Sequence, residues 1–114
     1  MKYVTGLKRL APITAIEKGW SGIAPTTASK IIDVEGEFYI RTIYLHNAGT
    51  STATVTIYSG NPQEGGVEIF RTVLGVGEKL VLNEIKGFSA TAGIYLASDT
   101  PGVFVVIGGE DYVI

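Results

Sequence analysis

The sequence predicts an all-β protein: an antiparallel two-sheet β-sandwich, jelly-roll-like, with seven to eight strands. Three observations support this fold class. Short runs rich in β-branched and aromatic residues recur along most of the chain. Clusters of Gly, Pro, Asn, Asp and Ser separate these runs, and no segment keeps the apolar period of an amphipathic helix. Many short strands joined by such turns pack as a sandwich or a small barrel.

A β-hairpin is predicted near the middle of the chain. Residues 38–47 and 52–58 are rich in aromatic and β-branched side chains. Gly49 lies between them, where its freedom to take a positive φ lets the chain reverse. In the second strand Val55 and Ile57 alternate with threonines, which indicates one apolar face and one polar face. The remaining strands are therefore expected to supply a second apolar layer that covers the hairpin.

Further strands are predicted on both sides of this hairpin. Residues 103–110 are almost wholly apolar, which indicates a strand that is central and buried on both faces, or one that lies at an interface. Gly108 and Gly109 mark a bulge or the end of that strand. Residues 59–66 contain the residue types that form turns and are predicted to be an exposed loop. The other predicted strands cover residues 30–34, 67–74, 79–85 and 94–98.

The chain divides into an N-terminal arm or edge segment, residues 1–29, and a β-sandwich domain, residues 30–114. The arm sustains no hydrophobic period, and a short strand predicted near residues 13–16 is ended by the glycine-containing run around Trp20. Trp20 is the only tryptophan. It either caps the core of its own subunit or anchors the chain on a neighbouring subunit.

The composition excludes several classes of function. The chain has 114 residues, enough for one domain with its own core, and it has no cysteine. Disulfides and thiolate metal sites are therefore excluded. The formal net charge of -2 argues against holding nucleic acid through an overall positive field. No apolar run reaches the length of a membrane span and no signal-peptide core follows the first residues, so we expect synthesis in the cytoplasm and no membrane partner.

The scarcity of charge predicts self-association. Charged residues make up 18% of the chain, against about 25% in an average globular domain. We therefore expect apolar surface to be hidden against other copies or partners, the alternative being a surface rich in uncharged Thr, Ser and Gly. The residues predicted to bind a partner lie in the basic part of the arm, at the tryptophan and at the C-terminus: Leu7, Lys8, Arg9, Leu10, Trp20, Tyr112, Val113 and Ile114.

No catalytic, cofactor-binding or metal-binding residue is predicted, and we expect no enzymatic activity. His46 is the only histidine, whereas a hydrolase triad needs a nucleophile, a base and an orienting acid, and a zinc site needs several strong ligands. The adjacent acids Glu110 and Asp111 are expected to be solvated charges that point to opposite faces. Gly75 and Gly77 precede a strand rather than a helix, which is the wrong context for a phosphate loop.

Aromatic side chains suggest two further kinds of binding. A site for single-stranded nucleic acid needs aromatic and basic residues on one face of the sheet. In a regular strand, however, Tyr44 points to the other face from Tyr39 and Arg41. The alternative to a structural role is a carbohydrate-binding β-sandwich module, which would present tryptophan and tyrosine rings in a row. The candidate residues for such a module are Trp20, Tyr39, Tyr58 and Tyr95.

Three segments resemble small β-sandwich structural proteins of tailed bacteriophages and prophages. In residues 41–58 a strand ends in Asn, a turn of Gly, Ser and Thr follows, and a Thr-Val-Thr strand comes next. Residues 74–82 place a glycine-containing turn before a Leu/Val strand, and residues 103–110 form a closing strand with glycine near its end. The resemblance covers residues 30–110 and rests on hairpin chemistry rather than on catalytic signatures.

The resemblance implies a non-enzymatic virion protein: a capsid decoration (cementing) protein or another head, neck or tail subunit. It implies a symmetric homo-oligomer, with a trimer favoured, that binds the major capsid protein or another virion protein. Such a protein would be made in the host cytoplasm and located in the virion. Residues 1–29 would carry its attachment to the neighbour, and no cofactor is implied.

Overall fold

The computed structural model describes residues 12–85 and 87–114, and these form two antiparallel β-sheets with nine strands in total. Four of the predicted partner-binding residues, Leu7, Lys8, Arg9 and Leu10, lie outside the described residues. In chain order the strands are β1 (Thr14–Ile23), β2 (Ser29–Ile32), β3 (Glu37–Asn47), β4 (Ala53–Ser59), β5 (Val67–Leu74), β6 (Lys79–Leu82), β7 (Ser89–Ala90), β8 (Ile94–Ser98) and β9 (Val103–Val113).

The order of the strands is that of a jelly roll. One sheet runs β1-β9-β3-β6, with the two-residue β7 paired to β3, and is called the five-stranded sheet; the other runs β2-β8-β4-β5 and is called the four-stranded sheet. Apart from β7, the chain crosses from one sheet to the other after every strand except β4, which leads into its neighbour β5. The predicted fold class, an antiparallel two-sheet sandwich of jelly-roll type, is confirmed.

The core lies between the two sheets and follows the alternation of side chains along each strand. On β3 and β9, every second residue over most of the strand is fully buried while its neighbours are partly exposed. Burial of each such aliphatic side chain stabilises the fold by about 1.5–3 kcal/mol. The largest fully buried apolar side chains are Phe38, Ile40, Ile43, Leu45, Val55, Ile57, Ile94, Leu96, Val103, Val105 and Ile107.

Asn47, at the end of β3, organises the predicted hairpin turn. Its side chain is fully buried. Its Nδ2 donates to the carbonyl oxygens of Ser51 (2.8 Å) and Leu74 (3.0 Å), and its Oδ1 accepts from the backbone N–H of Gly49 at 3.0 Å. The chain reverses where expected, but Gly49 is not among the glycines with positive φ. Glycine is needed there because a Cβ would lie 2.5 Å from the carbonyl oxygen of Pro101.

The predicted end of the first strand at the glycines around Trp20 is wrong. Strand β1 runs from Thr14 to Ile23 and pairs with β9 over all ten residues. The indole of Trp20 packs against the core, and Gly22 makes room for it, because a Cβ at Gly22 would lie 3.0 Å from that ring. Part of the predicted arm, residues 1–29, is thus an edge strand of the sandwich, and the proposed boundary at residue 30 falls within β2.

Strand β9 is central, as predicted, because it lies between β1 and β3. It does not end at Gly108 and Gly109 but continues to Val113. The bulge lies instead on the neighbouring strand β3. Ile40 pairs with Gly109 and Thr42 with Gly108, so β3 has one extra residue, Arg41. Only one face of β9 is buried, and its other face is turned away from the core.

Candidate functional site

The outer face of the five-stranded sheet carries an apolar patch made of Ile23, Tyr44, Val81, Phe104 and Val106. These side chains alternate with less exposed ones on their strands, and the registers place them in two adjacent rows across β1, β9, β3 and β6. The rings of Tyr44 and Phe104 meet edge to face with centroids 6.2 Å apart. Ile23 is 59% exposed, Val81 55% and Phe104 37%.

A row without bulky side chains lies next to the apolar patch. Gly19 of β1 pairs with Gly108 of β9, and Gly108 pairs with Thr42 of β3. We call these three residues the glycine row. They form the floor of a shallow depression of about 460 Å³, whose rim includes Arg41 and Glu110.

Beyond the glycine row, the same face ends in a groove of about 580 Å³. Tyr39 and Tyr112 meet edge to face at 5.4 Å, and the guanidinium of Arg41 lies 5.3 Å from the centre of the Tyr39 ring. Arg41 Nε donates to Glu110 Oε1 at 2.9 Å, and this bond raises the pKa of Arg41. The groove is lined by Ile13, Gly36, Glu37, Tyr39, Arg41, Tyr112 and Ile114.

The bulge at Arg41 changes which residues share this face. In a regular strand, as the sequence predicts, Tyr44 and Tyr39 would point to different faces of the sheet. Tyr39 pairs with Glu110 and Tyr44 with Val106, and both partners face outward from β9. The extra residue therefore brings Tyr39 and Tyr44 to the same face, and the expectation from a regular strand is wrong.

The hydroxyl of Tyr39 is held at the edge of the groove by Glu37. It donates to Glu37 Oε1 at 3.0 Å, and this hydrogen bond raises the pKa of Tyr39. The tyrosine therefore stays neutral over the ordinary pH range. The groove is a preformed feature of the face with one neutral aromatic pair and one ion pair.

The outer face of the four-stranded sheet is different in character. Thr54, Thr56 and Tyr58 point outward from β4, and Glu68 and Arg71 of β5 form an ion pair of 2.7 Å on the same side. Tyr58 and Tyr95 are direct neighbours across β4 and β8. Trp20 lies on the core side of the other sheet, so the fold does not bring it into a row with these two tyrosines, as a tryptophan-and-tyrosine carbohydrate platform would need.

A buried carboxylate closes the end of the sandwich near the groove. The side chain of Asp111 is fully buried; it accepts from Lys18 Nζ and the Glu35 N–H, both at 2.8 Å, and from the Gly36 N–H at 3.0 Å. Burial tends to raise the pKa of Asp111, but these three donors outweigh burial and lower it. The expectation that Asp111 is a solvated charge is wrong, because Asp111 has the same parity along β9 as Val105 and Ile107 and so points inward.

The remaining residues that could take part in catalysis or metal binding are not grouped into a site. His46 lies on the outer face, paired in register with Phe104 and Lys79. Within residues 12–85 and 87–114 no three His, Asp or Glu side chains are grouped so that they could hold a metal ion. No helix in the described part of the chain is long and apolar enough to cross a membrane.

The structure brings together two of the predicted partner-binding residues. Tyr112 and Ile114 line the groove, and Ile114 is 83% exposed. Val113 pairs with Thr14 at the end of β9, whereas Trp20 is half-buried against the core. Sequence reasoning did not select the apolar patch, although its prediction of an interface alternative for residues 103–110 pointed to Phe104 and Val106.

The comparisons with known proteins concern the fold. No family model matches the chain, and no curated protein matches it. A solved structure described as Bacillus endospore appendages, a novel family of disulfide-linked pili, is similar with a TM-score of 0.50 and 17% identity, over 90% of this chain and 89% of that chain. A crystal structure of PirA aligns with a TM-score of 0.42 and 14% identity, over 89% of this chain and 97% of that chain.

Proposed function

We propose that this chain is a non-enzymatic structural subunit that assembles with further copies of itself into a symmetric oligomer. The observation that carries the proposal is the apolar patch on the outer face of the five-stranded sheet. Contiguous apolar surface of this kind is unfavourable in water and marks surfaces that bind other proteins. In the assembly this outer face is covered, which accounts for the low share of charged residues, 18%.

The proposed setting is a virion, with the chain acting as a capsid decoration (cementing) protein or another head, neck or tail subunit. The support is the resemblance of residues 30–110 to small structural proteins of tailed phages. The jelly roll is also a fold on which viral capsid proteins are built. In this setting the partner is the major capsid protein or another virion protein, and the oligomer is a trimer, as the resemblance implies.

The likeness to the endospore appendage subunit is compatible with a polymerising role. That protein is described as forming disulfide-linked pili. This chain has no cysteine, so disulfides cannot link its copies in any assembly. A large apolar contact surface is the feature that such an assembly requires.

Self-association is tested by sedimentation velocity over a range of concentrations, with Val81→Asp and a matched control, Val73→Asp. The two valines are 55% and 60% exposed, but Val73 belongs to the four-stranded sheet. We expect Val81→Asp to weaken self-association by about 100-fold, because an unpaired carboxylate resists desolvation at an interface, and Val73→Asp to leave it unchanged. A wild-type protein that stays monomeric at high concentration would contradict the proposal.

The virion setting needs a separate experiment. Purified particles that lack the protein are incubated with it, and the bound fraction is measured after sedimentation. We expect binding, and we expect the double variant Lys8→Glu with Arg9→Glu to lose it if the arm carries attachment. An oligomer that never sediments with particles would leave the structural role standing but would remove the virion from it.

A further inference from the structure

Gly108 lies on the outer face of the five-stranded sheet, and the packing of the subunit does not require glycine at this position. A Cβ built on Gly108 would contact only the carbonyl oxygen of Lys18, at 4.0 Å, and Gly108 is not among the glycines with positive φ. Its neighbour Gly109 is different, because a Cβ there would overlap the carbonyl oxygen of Tyr39. The fold needs glycine at position 109 but not at position 108.

Glycine in the interior of a central strand weakens the strand, and it commonly marks a bulge or a place where another backbone or a ligand approaches closely. The bulge in β3 crowds Gly109, whereas a Cβ at Gly108 would have room. Gly108 is opposite Gly19 on one side and opposite Thr42 on the other. Side chains are absent on β1 and β9 at this level, and on β3 the side chain is the short one of Thr42, so the depression is wide enough to admit part of a second molecule. The apolar patch adjoins it on one side and the Tyr39–Tyr112 groove on the other.

The charges around the glycine row suit a second copy of the same face. Arg41 and Glu110 neutralise each other across 2.9 Å. Glu17 lies on the edge strand β1 and Lys79 on the edge strand β6, on opposite sides of Gly108. Both are exposed, and neither forms an ion pair with another described residue. A partner of strongly acidic or basic character would find no field of one sign on this face.

We infer that two copies of the chain meet through this same face, related by a two-fold axis, with β9 crossing β9 at Gly108. In such an isologous contact both copies use the same surface, so that if one residue contacts a second residue of the partner, the second contacts the first in return. A two-fold axis that runs between Glu17 and Lys79 places Glu17 of each copy near Lys79 of the other. The glycine row allows the two β9 backbones to approach more closely than sheets bearing side chains, which pack about 10 Å apart. This inference rests on the proposed self-assembly, but its two-fold contact makes a dimer and not the trimer that the resemblance implies.

The decisive experiment uses the absence of cysteine from the chain. Gly108→Cys is made in the full-length protein, with Val73→Cys on the opposite outer face as the matched control, and both are oxidised with copper phenanthroline. We expect Gly108→Cys to form covalent dimers on non-reducing gels and Val73→Cys to remain monomeric. A residue close to a two-fold axis meets its own copy, and a disulfide requires the two Cα atoms to lie within about 7 Å.

The same experiment separates the inference from the proposal on which it rests. If the wild-type protein does not self-associate, both fail. If it self-associates but Gly108→Cys gives no covalent dimer, the proposed structural role stands and the two-fold contact is overturned; a trimer held by a head-to-tail contact would give this result.

Charge reversal provides a second measurement on the same contact. We expect Glu17→Lys and Lys79→Glu each to raise the dissociation constant by about 10-fold, because like charges then face each other, and the double variant to restore it. Glu64→Lys, an exposed position outside this face, is the control and should change nothing. Single reversals without effect, or a double variant that is weaker than either single one, would contradict the placement of the axis.

Discussion

The two outer faces of the sandwich differ in the side chains that their central strands, β4 and β9, carry on the outside. On the four-stranded sheet, the outward positions of β4 hold Thr54, Thr56 and Tyr58, of which Thr56 is only 6% exposed. On the five-stranded sheet, the corresponding positions of β9 hold Phe104 and Val106. Strict alternation of apolar and hydroxyl side chains makes a face that is stable in water, whereas the loss of alternation makes a face that requires a cover. This difference supports the proposal that a partner covers the five-stranded sheet while the four-stranded sheet faces the solvent.

The largest effect is expected at the buried carboxylate that holds the end of the five-stranded face. Asp111→Ala should lower the free energy of unfolding by about 3 kcal/mol, because it leaves Lys18 without its closest carboxylate and two backbone N–H groups without their acceptor. Urea unfolding followed by fluorescence measures it. Asp99→Ala is the control, since Asp99 is exposed and accepts one hydrogen bond, from the Thr54 N–H. A loss at Asp111 no larger than that at Asp99 would show that the cluster does not hold this end.

A smaller effect is expected at the opposite end, where one side chain ties the two sheets together. Asn47 of β3 donates to the carbonyl oxygen of Leu74 in the four-stranded sheet. Asn47→Ala should lower the free energy of unfolding by about 2 kcal/mol, since it leaves buried carbonyl and N–H groups unsatisfied. Chemical denaturation measures the loss, and a change below about 0.5 kcal/mol, the range of ordinary surface substitutions, would contradict the role given to Asn47.

The pH dependence of stability should report the same buried carboxylate. The pKa of Asp111 is lowered in the folded protein, so the unfolded chain binds its proton more readily. The stabilisation is complete above the unfolded pKa of about 3.9 and is lost as the pH falls through the lower folded pKa. Thermal melting from pH 5 to pH 2 measures it. Asp111→Asn should flatten the profile, whereas Asp33→Asn, at an exposed aspartate whose hydrogen bond to Lys30 lowers its pKa, should change it little. Parallel profiles for the wild type and Asp111→Asn would contradict this assignment.

The smallest effect compares the two faces directly. Val73→Thr and Val81→Thr each replace one methyl group with a hydroxyl on an exposed strand position. We expect both to leave the unfolding free energy of the isolated subunit within about 0.5 kcal/mol. Only Val81→Thr should weaken self-association, by a few-fold, because only Val81 is in the apolar patch. Equal effects on sedimentation would erase the distinction between the faces.

The sequence predicts the sandwich well because alternation is a local property. Residues such as Val55 and Ile57 show their inward direction in the pattern of their own strand, and turns are indicated by Gly, Pro and Asn. Strand β1 is harder to predict, since its glycines look like a break until β9 is known to lie beside them. Pairing over ten residues outweighs the weak intrinsic strand propensity of Gly19 and Gly22.

The candidate site depends on features that no local pattern contains. The extra residue Arg41 in β3 lies beside the close approach of Gly109 to the backbone of Tyr39, and it brings Tyr44 to the same face as Tyr39. Asp111 could be assigned to the interior only by extending β9 through two glycines and counting parity from Val105. The sequence therefore indicates the apolar character of β9, but it does not show which residues of the neighbouring strands join Phe104 and Val106 in the apolar patch.

The pairing of the first strand with the last has a mechanical consequence. Thr14 is the partner of Val113, so the two ends of the described sandwich emerge side by side at the same end. A force that pulls these ends apart acts along the inter-strand hydrogen bonds of an antiparallel pair and opens them one after another, like a zip. Such a sandwich resists tension poorly when the force is applied at Thr14 and Val113, so in the proposed assembly stress passes through contacts between the faces.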